Sequence, residues 1–374
     1  MKNIAIVIGD GLHNTYGLIR SLGECGIEFY FLCLSITEYD PIMHSRYVKR
    51  NRFFHLVSIS EVTGVLDKLK SIPDNKYIIC TSDPLATWVD EHEQQLSKYF
   101  ITPCRGSRIG NLFNKKDQCE LAVACGLDVP KSVVYTKGAP FDHDNIAYPV
   151  FIKPLVSSDG SKKDINICRT QEELRYALSN SNYTSSFIVQ EYIENGYDLN
   201  CIGIRTDKQI LLACAIRKYR TYPDKFGAGS YFFVDKPDRY GVDENAIEIF
   251  LEKSGYYGPF SVEFIHTENK NYFMEVNFRN DGLAYSATCA GLNLYESLFE
   301  GKNIEKVKIK PSWLMNVAFD NALRRRSGNI SFFRWVKQFL TADGYLDFTF
   351  KDPMPFLWRP IGFVLRRLKI KSKR

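Results

Sequence analysis

Short apolar runs alternate with segments of helical period through the first third of the chain. Lys2–Ile8 reads as a buried strand, Tyr16–Cys25 as an amphipathic helix closed by Gly26, and Glu28–Leu34 as a second strand. A helix at Ser60–Leu69 with Ser60 as its N-cap, a strand at Tyr77–Cys80 and a helix at Leu85–Tyr99 follow. Strands separated by helices favour a parallel α/β sheet. Gly9-Asp10-Gly11 follows the first strand but lacks the third glycine of a dinucleotide-binding turn, which argues against an NAD site there.

Beyond residue 112 the pattern becomes mixed α+β. A helix opens at Asn114-Lys115-Lys116 and ends near Cys125-Gly126. Tyr148–Pro154 is an apolar strand carrying one lysine, Lys153, and a buried ammonium is costly unless something neutralises it. A loop of small residues follows, with Ser158, Gly160 and Ser161, of a kind whose backbone N–H groups can cradle phosphate. Phe187–Ile193 is a further strand, and Cys201–Ile204 with Gln209–Ile216 forms a hairpin about Thr206-Asp207-Lys208. The basic cluster Arg217-Lys218-Tyr219-Arg220 reads as a solvated or nucleic-acid-facing surface. Ala246–Ser254 is a helix ended by Gly255.

The richest stretch is Phe260–Gly282. Apolar runs at Phe260–Ile265 and Tyr272–Phe278 flank a polar connector and predict a hairpin. Alternation puts Met274, Val276 and Phe278 on one face, and Glu275, Asn277 and Arg279 on the other. Folding about Asn269 sets Glu263 across from Glu275, where like charges repel unless a cation lies between them. Two carboxylates and an amide oxygen suit Mg²⁺ or Mn²⁺. On that reading Glu275→Gln relieves a like-charge pair and leaves the fold at least as stable. A solvated strand face with ordinary surface charges would carry the same letters.

Composition narrows the class. A chain of 374 residues has room for two or three domains, and 45% hydrophobic content with a mean hydropathy of −0.24 is that of a globular protein. No apolar run reaches membrane-helix length, and the first apolar segment is too short for a signal peptide. Ten scattered cysteines without a C-x-x-C pair predict reduced, buried thiols and a cytoplasmic setting. From Pro353 to the end there are seven basic residues and no acid, so residues 1–352 carry −1 of the overall +6.

Glu263 with Glu275-x-Asn277-x-Arg279 twelve residues on resembles the metal-binding end of the ATP-grasp superfamily. The likeness is greatest to its carboxylate–amine ligases, such as the D-aspartate ligase group, and to carbamoyl-phosphate-synthase-like members. The resemblance implies an α/β and α+β architecture: an N-terminal Rossmann-like (pre-ATP-grasp) domain and an ATP-grasp fold binding ATP and Mg²⁺. It implies that Lys115, eleven residues before Gly126, and Lys153 hold phosphate oxygens, and that Ser158, Gly160 and Ser161 belong to a phosphate loop. Gln190, Glu191 and Ile193 match the adenine hinge, and Asp198 the ribose acid, although that acid is more often glutamate. Glu263, Glu275 and Asn277 match the metal ligands. Arg279 matches a catalytic arginine, and Arg217 and Lys218 would meet the γ-phosphate or an anionic substrate.

The implied domains are 1–112, a lid subdomain at 113–190, a metal-bearing subdomain at 191–310, and a basic aromatic extension at 311–374. The implied reaction activates a carboxylate as an acyl phosphate for attack by an amine. Carbamoyl-phosphate or biotin-carboxylase-type chemistry is an alternative, though no biotin-attachment or glutaminase segment is seen. A non-catalytic nucleotide-binding scaffold at the membrane is another. Expected partners are small-molecule carboxylates and amines; nucleic acid is not expected, and a homodimer is allowed. The tail, Phe356–Leu368 with its basic neighbours, either docks on the core or lies on an anionic membrane at the inner face.

Overall fold

The computed structural model builds the chain around three sheets. It describes residues 1–364 except 12, 36–39, 141–145, 157–163, 182–183, 224–226, 305–307 and 362–363. In the first sheet Phe53–Leu56, Phe29–Leu34, Asn3–Asp10 and Asn75–Cys80 lie side by side, all parallel. Helices cover both faces, which is why Ile4–Ile8 is an unbroken apolar run with every residue buried. The helix expected at Leu85–Tyr99 breaks at His92 into Asp83–Glu91 and Glu93–Leu96. His92 stacks on Trp88, and its Nδ1 lies 2.8 Å from the Trp88 carbonyl, so the side chain competes with the helix ladder. Ser60 is not a cap: it sits in the short turn Ile59–Glu61 and bonds Ser58 instead.

The second sheet is antiparallel, in the order Ser132–Thr136, Ser186–Glu191, Val150–Pro154, Asn166–Cys168. The helix Gln171–Asn180 gives it a small core of its own, in which Leu174 and Leu178 meet Ile152 and Phe187.

The third sheet has seven strands, in the order Asn271–Asn277, Gly258–His266, Tyr197–Arg205, Ile210–Tyr222, Ala228–Asp235, Ser312–Met315, Gly344–Tyr345. Its hairpin about Thr206 is longer than expected, and Arg217 to Arg220 lie inside the strand Ile210–Tyr222 rather than in a surface segment. Helices Lys115–Ala124 and Glu244–Ser254 cover one face. The other face receives His13–Glu24 from the parallel sheet, together with Tyr285–Cys289 and Leu294–Glu300, so one apolar cluster spans both sheets.

Residues after 311, set apart in the sequence as an extension, supply two strands of this third sheet. They also reach back to the segment between strands Phe29–Leu34 and Phe53–Leu56 of the first sheet: Asp352 accepts from Ser45 Oγ at 2.8 Å and Arg46 N at 2.9 Å, and Trp358 stacks on His44. All ten cysteines are free, and eight are buried. Among the described residues no helix is long and apolar enough to cross a membrane.

Candidate active site

A cleft of about 850 Å³ opens where the three sheets meet. Its floor is the hairpin Gly258–His266/Asn271–Asn277, in which Glu263 pairs directly with Glu275. The register then slips by one residue at Met274, a bulge on the second strand. Bulges re-aim side chains. Met274, expected on the face opposite Glu275, therefore lines the cleft beside it.

Two lysines from separate elements converge on one oxygen of Glu275. Lys115 opens the helix Lys115–Ala124, capped by Asn114, and its backbone is tied to the Leu155 carbonyl at 3.0 Å. Lys153 comes from the second sheet and also donates to the Met274 carbonyl at 3.1 Å. Both ammonium groups lie 3.4 Å from Glu275 Oε2. Burial works to raise the Glu275 carboxyl, but the two lysines outweigh it and hold the group down at about 2.

Glu263 goes the other way. Burial and the nearby Glu275 charge push its carboxyl up, against the pull of Lys218. Its Oε1 accepts from the Asn200 and Asn277 amides, each at 3.2 Å. A buried carboxyl raised partly by a facing carboxylate is the condition a divalent cation relieves, so the donor set fits one. Asn277 fits less directly: its Oδ1 takes a 2.9 Å bond from Arg279, and its amide nitrogen faces Glu263. Ligation through Asn277 would need that amide turned over. Arg279 is clamped by Asp83 at 2.5 Å and by Asp281 at 3.5 Å.

Of the other residues singled out in the sequence, Glu191, Ile193, Asp198 and Lys218 line the cleft. Lys218 lies 3.7 Å from Asp198; burial would lower its pKa, but Glu263, Asp198 and Asp281 more than offset this and raise it. Two other residues do not line the cleft. Arg217 points to the opposite side of its strand from Lys218, as alternation demands, and sits over the rings of Tyr197 and Tyr219 at 4.0 and 4.6 Å. Gln190 is fully buried, near Cys119, and its Oε1 has no partner among the described residues. Ser158, Gly160 and Ser161 lie outside the described residues.

The structure adds residues. Asp281 continues the alternation of Glu275, Asn277 and Arg279, and Asn200 that of Asp198, so both were within reach of the same period-2 reading. His13, Asn14 and Asp83 open the helices that follow two of the parallel strands, at the strands' carboxyl ends, where ligands of open α/β sheets bind. Asn280 N bonds the Cys80 carbonyl at 3.0 Å, and Gly282 approaches Asn14 and His13 so closely that a side chain there would collide with both. Nothing in the sequence joins these two distant loops.

No family model matches the chain. It is 25% identical to the D-aspartate ligase of Enterococcus faecium over 354 residues, 84% of this chain and 80% of that protein. The fold is similar to N5-carboxyaminoimidazole synthetase from Staphylococcus aureus, solved with ADP, at a TM-score of 0.65 and 15% identity, covering 88% of this chain and 87% of that one. It is also similar to the L-amino acid ligase from Bacillus licheniformis, at 0.61 and 13%, covering 84% and 79%. With this three-sheet architecture, and a curated ligase matched over four-fifths of both chains, the protein is similar to the ATP-grasp carboxylate–amine ligases.

Proposed function

We propose that this chain is an ATP-dependent ligase that joins a carboxylate to an amine. A carboxylate oxygen attacks the γ-phosphorus, the bond to the β-phosphate oxygen breaks, and ADP leaves. The amine then attacks the acyl carbon, the acyl–oxygen bond breaks, and phosphate departs as the amide forms. The observation that carries the reading is the convergence of Lys115 and Lys153 on Glu275. Two ammonium groups from different elements, brought together beside a carboxylate in a large cleft, suit the phosphates of a nucleotide with its cation.

In this reading Lys115 and Lys153 hold phosphate oxygens. Magnesium on Glu263 and Glu275, joined by Asn277 once its amide turns, would neutralise charge between the β- and γ-phosphates. Phe151, Ile167, Ile193 and Met274 offer an apolar wall for the adenine, with Asp198 for the ribose. Lys218 and Arg279 face the transferred phosphoryl group from the other end, a preorganised field of a kind that contributes several kcal/mol. Asp83 and Asp281 fix Arg279, and the substrate carboxylate enters beside His13 and Asn14. The reading divides the chain near 112 and 190, with the residues after 310 joined to the metal-bearing subdomain whose sheet they extend. It sets the enzyme in the cytoplasm, with its basic tail at the inner face of an anionic membrane.

ADP release measured over a panel of carboxylates and amines tests the reaction, with hydroxylamine replacing the amine to trap the acyl phosphate as a hydroxamate. ADP release that requires a carboxylate, with hydroxamate formed, is expected. Turnover supported by bicarbonate alone would overturn the assignment in favour of carboxylase-type chemistry.

A further inference from the structure

The C-terminal region carries its apolar residues on the outside. Helix Phe332–Thr341 has no fully buried residue. One side, with Trp335 and Phe339, packs against Tyr345 and Phe356. The other presents Phe333 and Leu340, 83% and 72% exposed, with Lys337 between them at helical spacing. A second stripe lies on the helical stretch that begins at Met354: Met354, Leu357, Ile361 and Val364, spaced three, four and three apart, are each 44–57% exposed. Phe350, 87% exposed, ends a ladder of ring contacts that runs through Tyr345 and Phe348. Exposed apolar patches rimmed by charge mark interaction surfaces.

The charge around these stripes identifies the partner. From Asn321 to Val364 there are seven Lys and Arg against three Asp, +4 in all, and six further basic residues follow in the sequence, whereas the residues before Asn321 total −4. Of the three acids, Asp347 and Asp352 are buried and paired with Arg359 and Arg20, and Asp343 is paired with Lys310. Arg325, Arg326, Arg334, Lys337 and Lys351 are exposed. A second copy docking through this face would bring two strongly positive surfaces together, which repulsion opposes. Nucleic acid would find rings to stack on only at Phe333 and Phe350 among the residues of this face, and the stripe of Met354, Leu357, Ile361 and Val364 offers none. Aliphatic and aromatic side chains that insert, ringed by cations, match a bilayer with anionic headgroups.

We propose that the folded face formed by Phe333, Leu340, Phe350 and the Met354–Val364 stripe is a membrane-docking surface for anionic lipid. The proposal rests on the peripheral-membrane reading above and shifts the contact from the basic sequence at the end of the chain to this folded surface. Binding then fixes the orientation of the cleft relative to the bilayer, since the helix Val317–Ser327 that leads into this face also contacts the cleft residue His13 through Phe319.

Sedimentation of the full-length protein with vesicles of phosphatidylcholine, alone or with phosphatidylglycerol, tests it. Three proteins are compared: the parent, a face variant (Phe333→Ser, Leu340→Ser, Leu357→Ser, Ile361→Ser), and a tail variant (Lys369→Glu, Lys371→Glu, Lys373→Glu). The parent is expected to bind anionic vesicles only and to be released by salt. The face variant should lose binding at least tenfold while its ADP release in solution is unchanged, and the tail variant should keep most of its binding. A face variant that binds like the parent, with the tail variant released, overturns the docking surface and leaves the tail reading standing. A parent that stays in the supernatant with both vesicles overturns both. A parent that sediments as a dimer without lipid, split by the face substitutions, makes the face a subunit interface and overturns the proposal as well.

Discussion

Glu275 shows how one side chain changes meaning with its surroundings. Read along the strand, its charge opposes that of Glu263, and removing it should relax the hairpin. In the folded chain two buried lysines depend on it. Leaving a buried ammonium without its counter-charge is the more costly event. A carboxyl moved from 4.5 to about 2 contributes roughly 3 kcal/mol of stability. Because the folded value is the lower one, that contribution is complete above about 4.5 and fades as pH falls toward about 2. Glu275→Gln should therefore lose roughly 3 kcal/mol in denaturant unfolding at neutral pH, the gap to the parent closing in acid, and should lose ATP turnover. Glu263 is raised, so its charged form works against the fold at neutral pH. Glu263→Gln should also abolish turnover yet unfold at the same or higher denaturant concentration. Equal destabilisation of both variants would mean that the lysines do not depend on Glu275.

At the scale of elements, most of the site was legible because strands carry a period of two. That period found Glu275, Asn277 and Arg279, and carried two residues further it reaches Asp281. It also separates Lys218, which enters the cleft, from Arg217, which lies over Tyr197 and Tyr219. Reading Arg217 to Arg220 as one basic cluster hid this. Lys218→Ala should then lose most turnover, whereas Arg217→Ala should keep it and lose about 1 kcal/mol of stability with the ring contacts. Matching steady-state losses in the two would put both side chains in the cleft. The same contrast separates Lys115→Ala, which should lose ATP affinity, from Lys116→Ala, whose ammonium is exposed beside Glu120 and should leave affinity unchanged. What periodicity could not supply was anything that breaks the period: the bulge at Met274 and the interruption at His92.

Over the whole molecule the decisive contacts join residues hundreds of positions apart, and no local pattern encodes them. Arg20 is fully buried, 4.0 Å above the Tyr16 ring, donating to the Leu346 carbonyl at 2.9 Å and lying 3.7 Å from Asp352. Asp352 in turn holds Ser45 and the Arg46 backbone. The helix His13–Glu24 and the segment around Ser45 are thus fastened to Asp352, more than 300 residues on, by a charge pair out of water. Where both partners are desolvated, removing one strands the other, at a cost of about 3–5 kcal/mol. Asp352→Ala should lose about that much in denaturant unfolding, since it strands Arg20 and also leaves two donors near residue 45 without an acceptor. Adding Arg20→Met to that variant should recover part of the loss, because the stranded charge is then gone. The double variant should therefore be more stable than the sum of the two single changes predicts, by more than about 1 kcal/mol. Strict additivity in this cycle would mean that Arg20 and Asp352 contribute independently, and that the two ends of the chain are held together by the apolar cluster alone.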